Sequence, residues 1–235
     1  MAGVQMSVTL VVAASLAQAG PAAAGALEIG PVRVRLVGAE RTTTINVRNV
    51  DTDPVTVQVR VVDWTQKQGE DAYAPSNALV AIPPLLHLAP GEARAVLILV
   101  RDGPEAAGEQ AFQLILKLPD PRSAGLRTMV RALVPVFVTP SAEARPHLRW
   151  SAVRSRGNLI LTAFNDGDHF EQLLDVRVSA EGHALGGAAV EGYVLSGASR
   201  AWTLPAAGAA SSLAIAGEGE FGHVEARVPI LSGAA

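Results

Sequence analysis

Apolar and polar residues alternate along much of this chain, most clearly over residues 126–140, LRTMVRALVPVFVTP. One row of alternate positions contains Leu126, Thr128, Val130, Ala132 and Val134. A period of two with β-branched residues predicts a strand, and a helix would have to accommodate Pro135 in its interior at a cost of about 3 kcal/mol. Because proline cannot donate a ladder hydrogen bond, we expect Pro135 at a sheet edge.

This strand has two interpretations. It is an ordinary sandwich strand that ends at Pro140, or its apolar row exists to pair with another protein. A long apolar edge strand is an aggregation hazard unless something covers it.

Similar segments precede this strand, and turns rich in Asp, Gly and Pro separate them. They lie at residues 27–38, 42–50, 55–64, 79–92, 93–102 and 111–121. Residues 65–78 are polar and are interpreted as a loop or a short edge hairpin. About seven strands without an amphipathic helix predict an immunoglobulin-like sandwich over residues 25–141.

The composition changes after residues 140–148, which contain two prolines among polar residues and predict a domain boundary. The following residues are richer in Gly, Ala and Ser, beginning with a hairpin whose turn is expected at residues 154–157. We therefore predict an all-β protein with a second, smaller sandwich over residues 147–235.

The N-terminus carries an apolar run at residues 8–19, which is too short to span a membrane. Residues 17–19 and 22–24 both fit a small-x-small cleavage pattern, although no Lys or Arg precedes the run. We expect an export signal over residues 1–24; a structural N-terminal helix is the alternative.

Composition restricts the function classes. A net charge of -3 with interspersed signs gives no case for nucleic-acid binding, and the absence of cysteine excludes disulfides and thiolate chemistry. The five histidines form no close ligand pair, and no nucleophile or phosphate-loop motif is present. We predict no enzyme activity, no metal, no cofactor and no small-molecule substrate.

Several arginines interrupt the apolar strands, and each is most simply a solvent-facing residue on a half-buried strand. Arg33 is the exception that we single out. Its planar guanidinium is suited to a carboxylate, and an arginine near a cleft between two sandwiches can capture a chain terminus.

The order of several segments resembles the PapD-like periplasmic chaperones of the chaperone–usher pilus pathway. The matching pieces are residues 31–64, IPPLLHLAPGEARAVLILVRD, FQLILKLPDP and PVFVTP, followed by residues 157–169 and 192–205. The pattern of residues in these segments most resembles that of the archaic, spore-coat-like group.

The resemblance implies two immunoglobulin-like domains in an L-shaped boomerang, located in the periplasm of a Gram-negative bacterium. Such a chaperone folds and caps pilus or fimbrial subunits by lending them a strand, and delivers them to an outer-membrane usher. The implied donor residues are Leu126, Thr128, Val130, Ala132 and Val134.

The resemblance also implies that a cleft arginine and a basic partner hold the subunit's C-terminal carboxylate. The arginine matches Arg33, whereas the usual lysine position is Pro135. Arg131 or Lys117 can substitute for that lysine. The chain also departs from the family at Ile98 and at residues 112–114.

A structural or adhesive β-sandwich surface protein is the alternative function, and an enzyme is a third. A further hypothesis is that the free chaperone covers its donor strand by self-association.

Overall fold

The computed structural model describes residues 27–101, 108–118, 130–186 and 189–232, with the backbone only for Val130 and Arg131. All its regular elements are strands. Those preceding residue 140 are β1 Leu27–Gly30, β2 Val34–Val37, β3 Thr42–Asn49, β4 Val55–Lys67, β5 Glu70–Pro75, β6 Leu79–Ile82, β7 Leu85–Leu88, β8 Ala93–Val100, β9 Gln110–Leu118 and β10 Val130–Thr139. Those that follow are β11 Leu148–Ser155, β12 Asn158–Asn165, β13 Glu171–Ala180, β14 His183–Ala184, β15 Val190–Val194, β16 Ser199–Leu204, β17 Ser212–Gly219 and β18 Gly222–Ser232. No helix in the described part of the chain is long and apolar enough to cross a membrane.

The first domain is a sandwich of two sheets. One has the strand order β1-β3-β8-β6, and the other has the order β2-β10-β9-β4-β5 with β7 paired to β4. Alternate residues of both sheets enter one core, in which Ile45, Val57, Val96, Ile98 and Leu114 are fully buried. The predicted all-β, immunoglobulin-like sandwich is confirmed.

Residues 27–38, predicted as one strand, form two strands that belong to different sheets. β1 pairs with β3, whereas β2 pairs with β10. Between them, Pro31 has no N–H to donate, and Val32 is 76% exposed. The alternating pattern continues across this crossing, because alternation does not specify which sheet a residue belongs to.

The polar residues after position 64 form the hairpin that was one of the two sequence interpretations. β4 runs to Lys67, which pairs with Glu70 of β5. The two residues between them, Gln68 and Gly69, both have positive φ (54° and 85°). This is the combination that a tight hairpin turn requires.

Only one half of β10 has partners on both sides among the described residues. β10 pairs with β9 from Val130 to Val138, but with β2 only from Val136 to Thr139. Pro135 therefore lies in the half of β10 that is hydrogen-bonded to β9 alone, in agreement with the edge position expected for a proline.

The second domain contains eight strands joined in the order β14-β13-β17-β18-β11-β12-β16, with β15 paired to β13. β18 pairs with β17 along most of its length and with β11 through Ile230–Ser232, so it connects the two halves of this sheet. Buried residues of both halves form one core that includes Leu159, Leu161, Val190, Leu213 and Ile215. The hairpin predicted near residues 154–157 is present, since Ser155 pairs with Asn158.

Candidate functional site between the two domains

Arg33 lies directly before β2 and directs its guanidinium toward the second domain. Its Nη2 donates to Glu220 Oε1 at 2.7 Å, and its Nη1 donates to Glu220 Oε2 at 2.5 Å and to Gln172 Oε1 at 3.0 Å. The guanidinium carbon also lies 5.5 Å from the centroid of the Phe170 ring. This two-point geometry is the one in which arginine binds a carboxylate most strongly.

The electrostatics of Arg33 agree with this geometry. Burial alone would lower its pKa, but hydrogen bonds to Glu220 and Tyr193 more than offset that effect and raise the pKa above its ordinary value. The side chains of Arg33 and Glu220 are 29% and 20% exposed, so water reaches both partners.

A tight turn delivers Glu220 to Arg33. Gly219 pairs with Gly222, which leaves Glu220 and Phe221 as the two residues at the tip of the β17–β18 hairpin. Gly222 has a φ of 133°, which favours glycine. The backbone N–H of Glu220 donates to the carbonyl of Gln172 at 2.9 Å, which fixes the tip against β13.

An aromatic cluster lies beside this ion pair and joins the two domains. Trp64 and Phe137 come from the first domain, whereas Phe170, Tyr193 and Phe221 come from the second. Phe137 stacks on Phe170 with centroids 4.1 Å apart, and Trp64 meets Tyr193 edge-on at 5.2 Å. Such pairs add about 0.5–1.5 kcal/mol each beyond the burial of their area.

A buried carboxyl group, Glu109, also contacts this cluster through the backbone of Phe170. Its Oε2 accepts a hydrogen bond from Thr139 Oγ1 at 2.7 Å, and its Oε1 accepts one from the N–H of Phe170 at 3.0 Å. The side chain is 1% exposed. Burial raises the pKa of Glu109 to about 7, even though both hydrogen bonds oppose that shift.

His169 is next to Glu109, and its partners determine its tautomer. Arg35 Nη2 lies 2.8 Å from His169 Nε2, and His169 Nδ1 lies 3.1 Å from the carbonyl oxygen of Phe170. Arginine can only donate and a carbonyl can only accept, so we assign a neutral imidazole with its proton on Nδ1. Burial lowers the pKa of His169, and the charge of Arg35 acts in the same direction.

The β4–β5 hairpin adds a third set of contacts between the domains. Gln66 donates to the carbonyl of Tyr193 at 2.8 Å and accepts from the N–H of Leu195 at 3.1 Å. Asp71 of β5 pairs with Arg200 at 3.1 Å. The hairpin tip therefore lies against β15 and β16 of the second domain.

The five expected donor residues fall into three groups. Leu126 and Thr128 lie outside the described residues, and Val130 is described only by its backbone, which pairs with Leu118. Val134 is 3% exposed within the core of its own domain, and Ala132 packs against that core. Their own domain therefore uses the side chains of Ala132 and Val134, and the proposal for strand donation concentrates on Leu126, Thr128 and Val130.

Arg131 was expected to complement Arg33, and the strand register separates the two. Val136 pairs with Val34, so Pro135 lies at the level of Arg33. Arg131 lies four residues before Pro135, roughly 13 Å along an extended strand, and is opposite Lys117. The residue opposite Pro135 is Gln113, which is 5% exposed and whose Oε1 has no hydrogen-bond partner.

Sequence reasoning missed Glu220, Gln172, Glu109 and His169. The motif GEGEFG at residues 217–222 contains a signal for a tight turn around Glu220, because glycines flank a Glu-Phe pair. Nothing local, however, places that turn against Arg33, which is 187 residues away in the chain.

Comparison with known proteins identifies the family. The model for the pili and flagellar-assembly chaperone family, PapD N-terminal domain, matches residues 26–143, which is half of the chain. The chain belongs to this family of pilus-assembly chaperones. The PapD-like resemblance inferred from the sequence is thereby confirmed.

Solved structures of pilus chaperones share the fold. A chain of the CsuC–CsuE complex, from archaic chaperone–usher Csu pili of Acinetobacter baumannii, has a TM-score of 0.69 and 21% identity, covering 89% of this chain and 100% of that one. The Escherichia coli chaperone DraB has a TM-score of 0.59 and 20% identity over 86% and 96% of the two chains. A chain of the complex of Salmonella enterica SafA pilin with the SafB chaperone has a TM-score of 0.56 and 20% identity over 85% and 92%. A search of the curated proteins finds no match.

Proposed function

We propose that this chaperone captures a pilus subunit at two places. The strand segment that contains Leu126, Thr128 and Val130 completes the subunit's sheet, and Arg33 holds the subunit's C-terminal carboxylate. The observation that carries this proposal is the two-point binding of a carboxylate by Arg33 at the junction of the two domains.

The pairing of β10 supports strand donation. From Val130 to Pro135, the described part of β10 is hydrogen-bonded only to β9, so its other edge is available for main-chain pairing with an added strand. Strand addition obtains affinity from such hydrogen bonds and specificity from alternate side chains. Burial of Leu126 and Val130 would contribute on the order of 3–6 kcal/mol before ordering costs.

Two relatives indicate the class of partner. The CsuC–CsuE structure is described as a chaperone–tip adhesion subunit pre-assembly complex, and the SafB chaperone is seen with the SafA pilin. A pilus or fimbrial subunit is accordingly the partner that we propose for this chain.

The remaining steps are proposed from family membership. Residues 1–24 direct export to the periplasm, the loaded chaperone passes its subunit to an outer-membrane usher, and self-association covers the free strand. Arg131 remains proposed as the second anchor of the subunit's carboxylate, and Lys117, which is opposite it on β9, is the alternative.

Co-purification from the periplasm with candidate pilus subunits tests the proposal. We expect the subunit to be recovered with wild type and lost with Arg33→Ala and with Val130→Asp. Controls are Arg48→Ala, whose side chain is 55% exposed on β3, and Val50→Asp, which is 47% exposed after β3.

Each pattern of recovery has one meaning. Loss only with Val130→Asp retains strand donation and removes Arg33 as the anchor. Full recovery with both variants overturns the proposal, because the subunit is then held by residues other than Arg33 and Val130.

A further inference from the structure

The carboxylate-binding fork of Arg33 is already filled by a carboxylate of the same chain. We propose that Glu220 is an internal competitor, which occupies Arg33 in the free protein and must be displaced by the C-terminal carboxylate of a partner. This inference rests on the proposed function and adds to it a residue that sets when and how tightly the anchor engages.

The chemistry of the contact is that of a chain terminus. Both oxygens of Glu220 accept from the two terminal nitrogens of Arg33. A C-terminal carboxylate has the same planar pair of oxygens and the same charge. Because arginine presents one such fork in this direction, the two carboxylates cannot both use it.

The hairpin tip makes Glu220 an effective competitor. Its backbone N–H is tied to the carbonyl of Gln172, and the N–H of the next residue, Phe221, donates to Glu171 Oε1 at 3.3 Å. The Phe221 ring is also held, 4.5 Å from His169 between centroids. A tethered group that is already oriented has a high effective concentration, so a free carboxylate must overcome it.

The same contact is open enough to be exchanged. Water reaches both side chains, which are 29% and 20% exposed, so a ligand can approach without opening the aromatic cluster. Gln172 Oε1 accepts a third hydrogen bond from Arg33 and can retain it while Glu220 is replaced. Exchange of one carboxylate for another keeps the guanidinium paired, so the arginine charge is not left unpaired by the exchange.

This arrangement has a consequence for selectivity. Since one ion pair is lost when another is formed, the Arg33 contact adds little net affinity for an isolated carboxylate. A carboxylate displaces Glu220 only when the rest of the ligand, such as an added strand, supplies binding energy. The competitor would thus make anchoring conditional on strand pairing.

A test needs no subunit and uses N-acetylglycine as the probe, with N-acetylglycinamide as its uncharged match. Binding is followed by the NMR signal of the Arg33 Nε–Hε group in the full mature protein. We expect Glu220→Gln to lower the half-saturation concentration of N-acetylglycine by about tenfold or more relative to wild type, with no comparable effect of the amide.

Glu218→Gln is the matched control, because Glu218 is in the same hairpin, is 65% exposed and pairs with His223 instead. It should bind N-acetylglycine as weakly as wild type. Glu220→Ala provides a second variant that removes the carboxylate, and thermal unfolding checks that each variant is folded. Equal half-saturation in wild type and both Glu220 variants would overturn the proposal and leave Glu220 as a bridge between domains only.

The probe-binding test of Glu220 and the co-purification test of Arg33 can fail independently of each other. If N-acetylglycine binds the Glu220 variants more tightly but Arg33→Ala still recovers the subunit, then the competitor acts on a carboxylate site that the subunit does not use. If Arg33→Ala loses the subunit but the Glu220 variants bind the probe no better than wild type, the anchor stands and the competitor does not.

Discussion

The ring of Phe137 on β10 stacks against the ring of Phe170 in the second domain, with centroids 4.1 Å apart, and both residues are fully buried. β10 therefore contributes Val134 to the core of its own domain and Phe137 to the contact with the other domain. Its first half extends toward the segment that we propose for strand donation. One strand thus connects three sets of contacts.

Removal of the Phe170 ring should uncouple the domains. We expect Phe170→Ala to lower the free energy of unfolding by about 3–5 kcal/mol, because a fully buried aromatic ring is replaced by a cavity. Chemical denaturation followed by tryptophan fluorescence measures the effect. Phe164→Ala is the control, since Phe164 is 38% exposed on β12 and should cost much less. Similar losses for both variants would contradict a special role of the interdomain ring.

Glu109 should make stability depend on pH. Its pKa is raised to about 7 from an ordinary value of 4.5, so the folded state binds the proton more tightly than the unfolded chain. Its contribution is fully present below about pH 4.5 and is lost as the pH rises through about 7. Relative to wild type, the free energy of unfolding of Glu109→Gln should therefore rise by about 3 kcal/mol between pH 4.5 and 8.

Urea denaturation across this range measures the difference between the two proteins. Glu143→Gln removes the same charge at an exposed position between the domains and should show no comparable trend. A constant difference between Glu109→Gln and wild type across this pH range would contradict the prediction, because it would show that the pKa of Glu109 is the same in the folded and unfolded protein.

His169 should remain neutral at pH values where an ordinary imidazole is charged. Burial and the neighbouring Arg35 charge lower its pKa, and the 2.8 Å contact with Arg35 requires an unprotonated Nε2. We expect ¹⁵N NMR to show the proton on Nδ1 and a pKa of His169 below the ordinary value for histidine. A proton on Nε2 would contradict the assignment of Arg35 as its donor.

Gly69 should be more sensitive to substitution than a glycine with a similar backbone in open space. A Cβ at Gly69 would lie 2.5 Å from Cβ of Ala201 in the second domain, whereas one at Gly91 meets nothing within 4 Å. Their φ angles are 85° and 74°, so the backbone strain of alanine is alike, about 1–2 kcal/mol.

We therefore expect Gly69→Ala to lower the free energy of unfolding by about 1–3 kcal/mol more than Gly91→Ala does, because the β4–β5 hairpin must move away from β16. Thermal and chemical unfolding of the two variants supply the comparison. Equal costs would indicate that the hairpin tip does not press on the second domain.

Much of the fold was predictable because alternation is a local property. The turn near Gly157 was predicted by its glycine, and the hairpin after Trp64 was one of two interpretations of a polar segment. Residues 27–38 were predicted wrongly as a single strand, since the same alternation fits a chain that leaves one sheet at Pro31 and enters another. The pattern shows which residues share a face, but not which neighbour that face meets.

The donor row illustrates the same limit. Val130 and Val134 lie on the same face of an alternating strand, and the family resemblance implied that both are presented to a partner. The structure assigns Val134 to the core of its own domain, because the opposing sheet covers that end of β10.

The sequence by itself determined most of the strands, the all-β class and the family, and it singled out Arg33 as a candidate, because these depend on residue types and on spacing along the chain. Only the tertiary structure decided what Arg33 binds. Glu220 is 187 residues away, and the meeting of these two side chains depends on the packing of Phe137 on Phe170 and on the turn at Gly222. Side chains this distant in sequence are brought together by the packing of the two domains, which no local pattern records.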